Sequence, residues 1–394
     1  MEYTDSREAF KGWLVMDRLD HSLCAGGMRV QAGLTLAHLA AMARNMTRKM
    51  QIFGLRVDGA KCGIDYDPAS PGKRAAMARF MAAIKPYIMT RYSMGPDLNV
   101  SMAEIEAIGR ELGIPSVKIA VAGAQGWEPA YFGRRCRILE QKVNGWPLAR
   151  LRAGYGVAAA VFAVLEHLQI PPEQARVAIQ GFGALAKATA YSLCRQGVKI
   201  TALADCEKCI ISPAGQGIAV QPLLETESTL LPSGDYGGAV KVAGREEIYR
   251  VPCDVLVAAA VENTVTEQVA GLLQVKALVP GANLAVTPGG EQLLSGRGVL
   301  VLPDFLPGSG GSLSMEGLFA PSSHPSPEEV LAHVAQRMDR IVKQTLARSR
   351  EEKITPTRAA LNICREQIPQ PGTRPYGDPG IAPMHPGEIR HART

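Results

Sequence analysis

No stretch of this 394-residue chain strings together the roughly 18 apolar residues that a helix needs to cross a hydrocarbon core, so no membrane partner is expected. Charge of one sign is scarce too. The formal net charge is only +6, and no segment interleaves Lys and Arg with aromatics, which make up 5% of the chain, so nucleic acid is not an expected partner. The opening "MEYTDSREAFKGW" lacks the basic-then-apolar pattern of an export signal. The cysteines stand singly apart from Cys206 and Cys209, which reads as free thiols in a reducing, cytoplasmic setting. "CEKC" has no second pair nearby, so it reads as a loop rather than a zinc or redox site, and no metal is expected. No internal repeat is evident.

What is present is an ordinary folded composition, 46% hydrophobic and 20% charged, on a chain long enough for two domains with separate cores. A strand is read at "GWLVMD", followed by "CAGGMRV". From Leu34 to about Gly54, Leu36, Leu39, Met42, Met46 and Met50 recur at helical spacing. "VDGAKCGIDYDP", Val57 to Pro68, reads as a glycine-bearing turn that holds Lys61. Further helices are expected around 72–90 and from Ser101 to "LGIP". From Gly156 the pattern changes. Strands "ARVAIQ", "KITALAD", "CDVLVAAA", "VKALVPGA" and "VLVLPD" alternate with helices, which predicts a mostly parallel sheet covered on both faces, an α/β fold. Long helices follow from Ser326. From Pro369 the chain holds 6 prolines in 26 residues with little apolar content, which reads as a disordered tail.

One turn carries a ligand signature. "VAIQGFGALAKATA" is a strand, then Gly181-x-Gly183-x-x-Ala186, then a helix. The first glycine permits the tight bend, and the second lets backbone N–H groups approach a pyrophosphate at the helix N-terminus. Asp205 ends the next strand, 22 residues past Gly183. There it suits a ribose 2′-hydroxyl and repels a 2′-phosphate, which favours NAD over NADP, with Lys208 nearby as a moderating cation.

"AGGMR", "MTRKM", "DGAKCGIDYDP", "GPDLNV", "AIQGFGALA", "VENTVTE", "PGAN" and "LPDF" occur in that order. Together they resemble the glutamate/leucine/phenylalanine/valine dehydrogenase family over nearly the whole chain, Gly12 to Ile368. The resemblance implies reversible oxidative deamination of an L-amino acid to a 2-oxo acid, with NAD as the cofactor and a homo-oligomer as the assembly. It places the catalytic lysine on Lys61, whose confinement is expected to depress its pKa so that it handles protons near neutrality. It places the substrate α-carboxylate on Lys49 and on the backbone of Gly26 and Gly27, and it retains Asn263 and Asn283 beside the cofactor. Counting past "GPD", the family's second catalytic carboxylate falls on Glu104. Ser101-x-x-Glu104 is also a helix capping box, which leaves catalysis and capping as open alternatives.

Where glutamate-type members hold the distal carboxylate with a lysine and a serine, this chain has Ala25 and Met315, with Met46 also apolar. An acidic substrate side chain would be desolvated there without a partner, so a neutral or apolar one is expected, closer to the leucine/phenylalanine type. Two orienting residues also depart from the family pattern, giving Ala153 and Gly308. The leading expectation is therefore an NAD-dependent L-amino acid dehydrogenase. The alternatives are an imine reductase of specialised biosynthesis, or an altered relative that binds NAD without turnover. The expected organisation is a substrate and dimerisation domain over 1–135, a Rossmann domain over 136–325, helices over 326–368 that return to the first domain, and the tail over 369–394. Substrate is expected in a cleft between the two domains.

Overall fold

The computed structural model describes residues 1–212, 215–234, 236, 240–321, 323–367 and 374–377. The chain divides into two compact units. The first comprises Met1–Arg137, Phe319–His324 and Gln367–Thr394; the second comprises Ile138–Leu318 and Pro325–Glu366.

The first unit is built on a five-stranded sheet of β1 (Glu2–Thr4), β2 (Lys11–Met16), β3 (Leu23–Gln31), β4 (Val57–Asp65) and β5 (Tyr92–Pro96), in the order β1-β2-β4-β3-β5. β4, β3 and β5 run parallel, and β2 runs antiparallel to β4. Side chains alternate across a strand. Cys24, Met28, Ala60, Cys62, Tyr92 and Met94 therefore join one apolar core with Phe80 and Ile84 of α2 (Lys73–Thr90) and Ile105 and Ile108 of α3 (Met102–Glu111). α1 (Leu36–Gln51) covers the other face. α4 (Ala120–Gln125) and α5 (Pro129–Cys136) complete this part of the chain.

The expected turn at residues 57–68 is instead the buried strand β4. Its glycines serve packing rather than bending. Neither Gly59 nor Gly63 has a positive φ, and a Cβ on Gly59 would lie 2.2 Å from Ala43 O of α1.

The second unit opens with the short hairpin β6 (Lys142–Val143) and β7 (Trp146–Pro147), then α6 (Leu148–His167). Its sheet contains β8 (Arg176–Gln180), β9 (Lys199–Ala204), β10 (Lys208–Ile211), β11 (Lys241–Gly244), β12 (Val255–Ala258), β13 (Ala277–Pro280) and β14 (Leu300–Val301). The order is β11-β10-β9-β8-β12-β13-β14. The run β9-β8-β12-β13-β14 is parallel, and β10 and β11 extend it antiparallel. The helices are α7 (Ala184–Cys194), α8 (Gln221–Leu224), α9 (Glu267–Leu272), α10 (Pro288–Gly296), α11 (Gly310–Phe319), α12 (Pro327–Glu352) and α13 (Pro356–Glu366). This is a Rossmann-type doubly wound sheet. Among the described residues only α6 is long and apolar enough to span a membrane, and 67% of its apolar window is buried inside the protein.

α12 and α13 belong to the second unit, not the first. α6 buries side chains around most of its circumference and needs a second helix against it. α12 supplies Met338, whose Cε lies 3.5 Å from where a Cβ on Gly156 would stand. Most of the 369–394 tail lies outside the described residues. Its four described residues are seated: Tyr376 is 2% exposed, its N–H donates to Gln125 Oε1 at 3.1 Å, and Pro375 O accepts from Arg56 N at 3.1 Å.

Candidate functional site

Lys61 projects from the α1-facing side of β4 and is 3% exposed. Its ammonium reaches Asp97 Oδ2 at 2.9 Å, just past the end of β5. β3 lies between those two strands, so the lysine and the aspartate together bridge roughly two strand spacings, about 10 Å. Glycine makes that passage possible. A Cβ on Gly27, on the Lys61 face, would stand 2.9 Å from Asp97 Cβ; Gly26 serves the close approach of β4 instead, since a Cβ there would stand 1.6 Å from Ala60 O. Arg29, on the same face of β3, donates its Nε–H to Asp97 Oδ2 at 2.9 Å. Burial pushes the Asp97 carboxyl up, but Lys61 and Arg29 outweigh it and hold the group down at about 2. Cys62, the residue after Lys61, faces the opposite core; burial lifts its thiol to about 12, so it stays protonated and unreactive.

The carboxylate beside Lys61 is thus Asp97, not Glu104. Glu104 closes the capping box of α3, with Ser101 N donating to its Oε2 at 3.4 Å and its own N–H donating to Ser101 Oγ at 3.1 Å. The Glu104 carboxylate also pairs with Lys73 at 3.0 Å. Counting onward from "GPD" stepped over the aspartate inside the motif. The signal that finds it is alternation along β5, which puts Ser93, Gly95 and Asp97 on one face.

Lys49 lies in the last turn of α1 and is 5% exposed, so it is a buried cation rather than a solvated helix end. Met46, one turn earlier, is half-buried, and Ala25 is 8% exposed on the Lys61 face of β3. A cation that the sequence reading missed also belongs to this face. Lys118 Nζ donates to Met94 O at 3.2 Å and lies 3.7 Å from where a Cβ on Gly95 would stand. It comes from the connection between α3 and α4, outside every quoted motif.

In the second unit, Gly181 has φ +117°, and a Cβ there would lie 2.7 Å from Ala259 O, so glycine is required. Gly183 N-caps α7, and no atom lies within 4 Å of where its Cβ would stand. That open cradle faces helix N–H groups without intrahelical partners, which suits a pyrophosphate. Ala186 is fully buried. Asp205 follows β9, with Oδ1 accepting from Glu207 N at 2.7 Å and Lys208 N at 2.8 Å, and Oδ2 accepting from Leu231 N at 2.6 Å. Three of the roughly four acceptor sites of a carboxylate are thereby used, which leaves one for a ribose hydroxyl.

Asn263, at φ +54°, and Asn283 sit in the loops after β12 and β13, and Asn263 N donates to Leu284 O at 2.8 Å. Ala153 lies against the α11 turn: a Cβ on Gly310 would be 2.7 Å from Ala153 O. Gly308 precedes that turn, and Met315 is 7% exposed on α11.

The sequence pattern described as the Glutamate/Leucine/Phenylalanine/Valine dehydrogenase matches residues 147–370, and that of the Glu/Leu/Phe/Val dehydrogenase dimerisation domain matches residues 2–113. The NADP(+)-dependent glutamate dehydrogenase of Pyrobaculum calidifontis is 30% identical over 317 residues, which are 78% of this chain and 71% of that protein. The NAD-specific glutamate dehydrogenase of Peptoniphilus asaccharolyticus is 28% identical over 334 residues, 78% of this chain and 72% of that one. Among solved structures, the hetero-hexameric glutamate dehydrogenase of Thermus thermophilus in a Leu-bound form superposes with a TM-score of 0.74 at 27% identity. The superposition covers 91% of this chain and 83% of that one.

Proposed function

Because the chain belongs to the Glu/Leu/Phe/Val dehydrogenase family, we propose that it catalyses the reversible oxidative deamination of an L-amino acid to its 2-oxo acid with a nicotinamide dinucleotide. The observation that carries this reading is the buried 2.9 Å pair of Lys61 and Asp97 on a glycine-walled face. When bound, the dinucleotide accepts hydride from the substrate α-carbon. The proton work falls to the pair. Lys61, as the neutral amine, takes a proton from the water that adds to the substrate imine, and the ammonium so formed steadies the carbinolamine oxygen. Asp97, held ionised, keeps that ammonium in place; Lys61 passes the proton to the amine that departs as ammonia and takes the carbinolamine hydroxyl proton as the carbonyl forms. Lys49 pairs with the α-carboxylate. NAD is the proposed cofactor, supported by the acidic residue that ends β9, and a homo-oligomer is proposed, supported by the match to the dimerisation domain.

For the side chain of the substrate, Ala25 and Met46 favour a neutral or apolar group. A second reading, an acidic side chain, draws on Lys118 standing over Gly95 on the same face and on the glutamate named for the relatives. The reading of an altered relative without turnover loses one of its three motives, since a carboxylate does stand beside Lys61.

The test supplies purified protein with NAD or NADP and a panel of neutral, aromatic and acidic L-amino acids, and follows reduced nicotinamide by absorbance. The expected outcome is turnover that falls roughly 10²–10⁴-fold in Lys61→Ala while dinucleotide binding persists. Dinucleotide binding with no turnover on any panel member, in either direction, sinks the proposal. Lys118→Met separates the two side-chain readings: turnover of acidic substrates that is lost in this variant supports the second, and a profile unchanged on every substrate of the panel supports the first.

A further inference from the structure

The segment between α8 and β11 has neither helix nor strand over residues 225–232, yet charged side chains from three elements fasten it. Lys187 of α7 donates from Nζ to Thr226 O and Ser228 O, both at 2.6 Å. Asp205 accepts from Leu231 N. Arg150 of α6 pairs with Glu227 at 2.6 Å. The lysine is unusual because it is 3% exposed and its ammonium is held by carbonyls rather than by a carboxylate. It also stands 4.5 Å from the centroid of the Phe182 ring, the residue between Gly181 and Gly183. Burial of the amine pushes its pKa down. A cation kept in such a place is costly, and a surface loop needs no such fastening to persist.

The three groups that meet here are the GxG turn, the first turn of α7 and the acid that ends β9. In a Rossmann fold these are the parts that meet the adenosine half of a dinucleotide. The Lys187 charge, without a carboxylate hydrogen-bonded to it, also adds to the positive field at the N-terminus of α7, where a pyrophosphate would lie. We propose that Lys187 is a positioning residue for the dinucleotide. It holds the 226–231 segment and the Phe182 turn in the shape that the adenosine half requires, and it favours the pyrophosphate by charge. The inference rests on the dinucleotide reading above.

The test measures NADH and NADPH binding by nucleotide fluorescence, together with steady-state kinetics, in the full chain and in Lys187→Met, Lys187→Arg and Arg150→Ala. Lys187→Met is expected to raise the dinucleotide Kd about tenfold or more while kcat at saturation stays within about threefold, and Lys187→Arg to restore Kd to within about threefold of the parent. Arg150→Ala, at a more exposed pair that survives loss without unfolding, is expected to raise Kd about two- to fivefold at unchanged Tm. If Lys187→Met fails to fold, Arg150→Ala decides alone, and an unchanged Kd overturns the proposal. Parent-like Kd values in both variants, with or without a fall in Tm, overturn the role of Lys187 while leaving the enzyme reading intact. A parent that binds neither dinucleotide overturns the dinucleotide reading itself.

Discussion

The Lys61 ammonium meets Asp97 Oδ2 at 2.9 Å, and Arg29 donates to that same oxygen. The carboxylate is therefore fixed in place and in charge, which is what a counter-ion that positions and steadies a protonated lysine in a shielded site requires. Asp97→Asn is expected to lower kcat roughly 10²–10⁴-fold with little change in dinucleotide affinity, checked by steady-state kinetics and direct binding. Glu104→Gln is the contrasting case. It disturbs the cap of α3 and the Lys73 pair, so it costs about 1 kcal/mol of stability and leaves kcat within about twofold. A large loss of kcat in Glu104→Gln, with Asp97→Asn active, reverses the assignment. The same pair sets an acid limit. The Asp97 pKa is depressed from 3.8 to about 2, so its stabilisation is complete above the unfolded value and disappears as pH falls through the folded one. The full amount is about 2 kcal/mol, of which about 1 kcal/mol is lost by pH 3, and urea unfolding near pH 6 and near pH 3 is expected to show that roughly 1 kcal/mol difference disappearing in Asp97→Asn.

Strand β4 shows how an element hides from a reading of its residues. Two glycines, an aspartate and a lysine look like a turn, because glycine loosens a chain in isolation. Here Gly59 lets α1 lie against the strand and Gly63 leaves room for the Arg29 carbonyl of β3 and for Leu34, and that demand comes from tertiary packing, which local pattern does not express. By contrast, the strand–GxG–helix unit was legible, since its apolar strand, bend and helix are all local. Asp97 was legible in principle through the alternation of β5, whereas Lys118 was not, because only the fold brings its connection over Gly95. The two kinds of glycine predict opposite outcomes. Gly59→Ala places a methyl 2.2 Å from Ala43 O and Thr47 N, so it forces α1 off β4 and costs several kcal/mol. Gly183→Ala meets no neighbour within 4 Å and has φ −75°, so its Tm is expected to stay close to that of the parent. Its dinucleotide Kd is expected to rise about tenfold or more, since the methyl enters the space kept for the phosphates. Calorimetry and dinucleotide titration of the two variants check this, and a Gly183→Ala protein that binds normally argues against the cradle.

At the scale of the molecule, chain order and spatial grouping part company. Helices α12 and α13 follow the Rossmann strands and stay with them, while Phe319 and, among the described residues near the C-terminus, Gln367 and residues 374–377 group with the first unit. The sequence shows α12 as amphipathic but not which partner its apolar face meets. Composition made residues 369–394 look unstructured, because six prolines and few apolar residues promise little burial. One tyrosine changes the outcome for its neighbours. Tyr376 packs 5.5 Å from the Phe319 ring centroid and ties its backbone to Gln125, and Pro375 O accepts from Arg56 N in the connection between α1 and β4. That connection joins the helix of Lys49 to the strand of Lys61, so the anchor bears on the spacing of the two lysines. Tyr376→Ala removes about 3 kcal/mol of aromatic packing and is expected to loosen the connection. The predicted result is faster hydrogen exchange at Arg56 N–H and a raised amino-acid KM, with dinucleotide Kd unchanged because the cofactor turn lies in the other unit. Tyr376→Phe keeps the ring and the backbone bonds and is expected to behave like the parent. If Tyr376→Ala retains both Arg56 protection and KM, the anchor is incidental and the lysines are held by α1 and β4 alone.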